Sequence, residues 1–145
     1  MLSYEIKGKG RPVVLLHSFP LSARMWEGQA ELFATDYQII CPDFPGFGKL
    51  PVLQNISIAA MAREVAVLLE HLKITEPVFL GGLSMGGYAA FEFLRQFPDK
   101  VMALGFFATR ATPDSPTNMW YASSVSMNLV VRARGSNADS AKAAS

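Results

Sequence analysis

The 145 residues are half hydrophobic and carry thirteen basic against twelve acidic side chains, a formal charge of +1. A chain of this size and composition buries one sizeable core, and a near-neutral balance without a basic stripe excludes a surface built for a phosphate backbone. The single cysteine, Cys41, excludes an intrachain disulfide, residues 1–7 lack the basic and apolar regions of a secretory signal, and no apolar run is long enough to span a membrane. The expectation is a soluble, cytoplasmic chain without nucleic-acid or membrane partners.

Residues 4–6 and 12–16 flank Gly8-Lys9-Gly10, whose glycines suit positive φ angles, so a β-hairpin is expected to open the chain. Val13 to Leu16 reads as a buried strand. A helix is expected over 22–33 and a strand over 37–41, ending at Pro42, before the turn-rich Asp43-Phe44-Pro45-Gly46-Phe47-Gly48. From Ser57, a natural N-cap, apolar residues recur at three- and four-residue spacing through Leu72 and mark one buried helical face. Then follow a buried strand over 77–81, a helix over 88–97, a helix-to-strand turn at Asp99, and an apolar strand over 101–107. Strands buried on both sides and alternating with helices imply an α/β fold with a mostly parallel sheet of about five strands, helices on both faces.

Beyond Pro116 the periodicity is lost. Residues 1–117 read as one domain portion and 118–145 as an atypical tail, with 132–145 small, polar and expected to be disordered. The outer edge of the 101–107 strand is then expected to be bare and to favour self-association, unless residues 127–131 fold back onto it.

The chemistry centres on Ser84, in Gly82-Leu83-Ser84-Met85-Gly86 between a buried strand and a helix. A serine in G-x-S-x-G on such a turn is a nucleophile elbow: glycines let backbone and helix approach closely while the hydroxyl is presented outward. A second segment, His17-Ser18-Phe19-Pro20, ends the buried strand 13–16 and lies where a loop would stand beside the elbow. An oxyanion needs two preorganised N–H donors; Met85 supplies one by following the nucleophile, and Phe19 is the natural second. The segment Asp43 to Gly48 reads as structural, its glycines turning the chain near the site. No metal-ligand cluster or phosphate-binding glycine loop is present, and no cofactor is expected. Cys41 reads as a small buried hydrophobe.

These three segments, in this order and spacing, resemble the N-terminal half of the alpha/beta-hydrolase family, in particular its esterase- and lactonase-like members, over roughly residues 1–117. The resemblance implies a serine hydrolase acting on a carboxylic ester or lactone through an acyl-enzyme, with Ser84 as nucleophile, Phe19 and Met85 as the oxyanion hole, and His17, Gly82 and Gly86 supporting the motifs. Ser18 departs from the glycine common in the loop after His17, and Lys49 stands where a serine is usual.

A third departure weighs most. In the family the acid and then the histidine follow the nucleophile, yet the 61 residues after Ser84 contain no histidine. Asp99, Asp114 and Asp139 have none to orient. Of the two histidines present, His17 reads as a structural member of its loop and His71 as a helix-end residue. The expectation is a chain truncated before its acid and base and nearly inactive alone. A haloalkane dehalogenase is disfavoured because Ser84 stands where that chemistry needs an aspartate, whereas a cofactor-free haloperoxidase stays compatible with this half. The alternative from another class is a non-catalytic binding module that keeps the elbow as a relic of the fold.

Overall fold

The computed structural model describes residues 1–52 and 56–107 together with the backbone of Val131 and Arg132. Five strands appear as expected: β1 (Ser3–Lys7), β2 (Arg11–Leu16), β3 (Tyr37–Asp43), β4 (Val78–Leu83) and β5 (Val101–Phe107). A two-residue β6 (Val131–Arg132) joins them in the order β1-β3-β2-β4-β5-β6. β3, β2, β4 and β5 run parallel, and β1 and β6 are antiparallel to their neighbours.

The expected hairpin does not form. Gly8 and Gly10 do take positive φ, at 78° and 115°, but β1 pairs with β3, from Ser3 against Asp43 to Lys7 against Ile39. The glycines carry the chain across the end of β3: a Cβ on Gly8 would run into the backbone of Ala34 and Tyr37. Apolar on both faces, β2 is better placed between two parallel neighbours, while β1, exposed at Glu5 and Ile6, is suited to the edge. β3 also runs past the expected stop at Pro42. Its ladder with β2 ends at Ile40, so the missing proline N–H costs no bond on that side.

Three helices connect the strands: α1 (Glu27–Phe33), α2 (Ile58–His71) and α3 (Met85–Gln96). The helix expected over 22–33 is split, with a 3-10 turn at Ala23–Trp26 preceding α1. Gly28, in the first turn of α1, is a weak helix former. Ser57 caps α2 as expected, its hydroxyl accepting the Ala60 N–H at 3.1 Å. α2 buries Met61, Ala62, Val65, Ala66, Leu68 and Leu69, and α3 packs Ala89, Ala90 and Phe93 beside them over one face of the sheet. On the opposite face α1 buries only Ala30. A groove of about 640 Å³ remains there, lined by Val13, Leu15, Ile39, Phe79 and Phe107 from the strands and by Trp26.

The edge of β5 is paired at two positions, Ala103 with Arg132 and Leu104 with Val131. Apart from the backbone of Val131 and Arg132, the expected tail lies outside the described residues, as do Asp114 and Asp139. Among the described residues no helix is long and apolar enough to cross a membrane.

Candidate active site

The elbow is built by glycines and a bent serine. Strand β4 ends at Leu83 and α3 begins at Met85, three residues earlier than expected, so Ser84 alone makes the turn. Its φ of 49° and ψ of −112° lie in a region that costs a side-chain-bearing residue about 1–3 kcal/mol. Backbone bonds hold it there. The Ser84 N–H donates to Phe107 O at 3.0 Å, and Ser84 O accepts from the N–H groups of Gly87 (2.9 Å) and Tyr88 (3.2 Å). Gly82 and Gly86 are steric requirements of this turn: a Cβ on Gly82 would overlap the Gly86 backbone, and one on Gly86 would lie 2.7 Å from His17 O and nearer still to Leu16 O. Ser84 itself is exposed.

That contact at Gly86 also brings the predicted segments together, because the start of α3 presses directly on the backbone where β2 passes into the loop 17–22. Within the loop, Ser18 O accepts the Leu21 N–H at 2.9 Å, the Phe19–Pro20 peptide is cis, and the Ser18 N–H lies 3.4 Å from Met25 Sδ. Phe19 is 69% exposed, and its ring meets Phe47 edge-on at 5.7 Å. Met85, half-buried, is the first residue of α3, so its N–H belongs to those that have no partner within the helix.

His17 is fully buried with both ring nitrogens engaged. Nε2 accepts the Phe44 N–H at 2.9 Å, which leaves Nδ1 as the donor to Ser18 O at 3.0 Å. Burial holds its pKa below 6.5, against the opposing pulls of Ser18 O and Asp43. It is therefore a neutral brace between loop and β3. His71 lies in the last turn of α2, its ring against Tyr4. Its neighbour Glu70 pairs at 3.6 Å with Lys100, at the end of the sheet opposite the elbow. Cys41 is buried and its thiol is pushed up to about 12, chiefly by desolvation, so it carries no thiolate near neutrality. Asp99 falls in the 3-10 turn Pro98–Lys100.

One residue at the site was legible in the sequence only as the start of a structural turn. Asp43, buried at the end of β3, accepts the Ala23 N–H on Oδ1 (2.7 Å) and the Ser3 hydroxyl on Oδ2 (3.0 Å). Its partners stand 20 and 40 residues away, so no local pattern announces it. The turn it opens behaves as expected, with Gly46 and Gly48 at φ 88° and 58°.

Comparison with known proteins agrees with this arrangement. An esterase from Thermogutta terrifontis is 44% identical and superimposes with a TM-score of 0.77, over 80% of this chain and 43% of that one. The pimeloyl-[acyl-carrier protein] methyl ester esterase of Aeromonas hydrophila is 31% identical over 105 residues, 71% of this chain and 39% of its own length. A fluoroacetate dehalogenase from a Burkholderia species is 32% identical over 105 residues, 68% of this chain and 34% of its own. The chain thus spans less than half the length of each. Residues 11–128 match the family described as alpha/beta hydrolase fold. With a strained serine between β4 and α3 of a mostly parallel sheet, this chain belongs to the alpha/beta-hydrolase family.

Proposed function

We propose that Ser84 is the nucleophile of an acyl transfer that cleaves a carboxylic ester or its cyclic form, a lactone. The Ser84 oxygen adds to the carbonyl carbon, the alcohol leaves, and water releases the acid from the acyl-enzyme. The backbone N–H groups of Phe19 and Met85 receive the oxyanion; losing one such donor costs about 3–4 kcal/mol in the transition state. The observation that carries this reading is the exposed, left-handed Ser84 at the strand-to-helix turn, with the 17–22 loop pressed against it through Gly86. The two esterase relatives support the choice of substrate class. Dehalogenation fits less well, because displacing a halide by a serine oxygen leaves an ether that water does not cleave.

A proton acceptor for Ser84 is not found in either histidine. His17 spends both nitrogens inside its loop, and His71 is at the far end of the sheet. Without an imidazole, turnover in a related logic falls on the order of a million-fold. These 145 residues by themselves are therefore expected to hydrolyse esters very slowly.

A fluorophosphonate probe with peptide mass spectrometry tests the reading. Slow labelling confined to Ser84 and abolished by Ser84→Ala is the expected result. No labelling after many hours would overturn the nucleophile assignment and favour a binding module that retains the elbow without its chemistry.

A further inference from the structure

The loop carrying Phe19 is fastened at both ends to two consecutive residues. At its start, His17 Nε2 accepts the Phe44 N–H at 2.9 Å; just past its end, the Ala23 N–H donates to Asp43 Oδ1 at 2.7 Å. Between these anchors the backbone closes on itself through the Leu21 N–H to Ser18 O bond. Asp43 is only 7% exposed, and no ion pair reaches it among the described residues. Its carboxylate is held instead by the Ala23 N–H, the Ser3 hydroxyl and the close backbone of Gly48, where any Cβ would overlap it. A carboxylate buried without a cation is costly unless its hydrogen bonds are good, and bonds to an ionised acceptor are the strong ones.

We infer that Asp43 is a positioning residue: by gripping the Ala23 N–H from the end of the neighbouring strand, it fixes where the Phe19 N–H stands relative to Ser84. It acts through the loop and touches no reacting atom. The inference rests on the reading of Phe19 as an oxyanion donor, and misplacing such a donor by about 1 Å is enough to lose on the order of a hundred-fold in rate.

Ala23→Pro tests it by deleting the donor and leaving the acceptor. Proline is tolerated at the first position of a helical turn, and the preceding Ser22, at φ −142° and ψ 179°, already has the extended backbone that a following proline demands. Asp43→Asn is the conservative partner, since an amide oxygen still accepts from Ala23. In the full 145-residue chain, Ala23→Pro is expected to slow fluorophosphonate labelling of Ser84 by about ten-fold or more, and Asp43→Asn by less than about three-fold. Amide exchange of Leu21, whose N–H closes the loop on Ser18 O, should rise about ten-fold in Ala23→Pro while that of Leu80 and Leu104, at the centre of the sheet, stays unchanged. Wild-type labelling and wild-type Leu21 exchange in Ala23→Pro would overturn the inference, as would faster exchange throughout the sheet. If the parent chain shows no labelling at all, the nucleophile reading fails, and Leu21 exchange alone decides the clamp. Should Ala23→Pro not fold, Ser3→Ala, which removes only the Oδ2 bond, is expected to raise Leu21 exchange about three-fold, and no change there overturns the inference.

Discussion

The two faces of the sheet are built to different standards. On one, α2 and α3 interlock over Val14, Leu16, Ile40, Leu80 and Leu104, and Phe93 between them is fully buried. On the other, the seven-residue α1 and its preceding 3-10 turn cover Leu15, Ile39 and Cys41 but leave Phe79 half-exposed and the 640 Å³ groove beside it. Strands of a parallel sheet are apolar on both sides whichever face the local chain covers. The difference teaches where this chain's stability resides: in the α2/α3 layer, which is also the layer that carries the elbow.

Paired truncations would break or sharpen that contrast. Phe93→Ala removes a ring with 0% exposure packed 5.2 Å from Phe97 and is expected to lower unfolding free energy by about 4 kcal/mol. Phe79→Ala, on the groove side, is expected to cost less than half of that, since water already reaches its ring. Urea unfolding followed by circular dichroism measures both. Equal losses would mean that the groove face is as tightly packed as its opposite.

A second substitution probes the seam between the well-packed layer and the loop. Gly86→Ala adds one methyl group where only the backbone of Leu16 and His17 stands in the way, so no side chain can rotate aside. Overpacking costs about 1–3 kcal/mol, and a backbone-on-backbone overlap belongs at the upper end. The expected result is a loss of about 3 kcal/mol together with a slower reaction of Ser84 with a fluorophosphonate. Gly28→Ala is the control, because a Cβ at Gly28 meets nothing within 4 Å; it should be neutral or slightly stabilising.

What the sequence made legible follows the range of the interactions involved. The α2 helix declares itself in the spacing of Met61, Val65, Leu68 and Leu69 and in the cap at Ser57, all set by neighbours within one or two turns. The elbow is legible for the same reason, since Gly82, Ser84 and Gly86 write their own turn. Partner choice between strands is different: Gly8 and Gly10 signal a reversal, but nothing near them says that β3, some thirty residues on, will slip between β1 and β2. Asp43 was unreadable on the same grounds, since an aspartate ahead of a proline-glycine turn looks like a turn residue until Ser3 and Ala23 are brought to it by the fold.

The smallest expected effect concerns the brace that joins the loop to β3. His17 is neutral in the folded chain, with its one proton on Nδ1 facing Ser18 O and its Nε2 lone pair facing the Phe44 N–H. A second proton on Nε2 would point at another donor in a fully buried site, and burial accordingly holds the pKa below 6.5. Above pH 6.5 folded and unfolded chains both hold the ring neutral, and its contribution is complete. Below that the unfolded chain gains a proton that the folded one refuses, so stability declines as pH falls toward the lower folded pKa, by at most about 1.4 kcal/mol per unit of pH. Urea midpoints at pH 7.5 and 5.5 should therefore differ more for the parent chain than for His17→Gln. The glutamine keeps an acceptor but cannot titrate, and it loses the bond to Ser18 O at every pH, so it begins less stable by about 1 kcal/mol and has the shallower acid slope. Parallel slopes would place a charged His17 in the folded chain, and the loop and β3 would then be joined by something other than this ring.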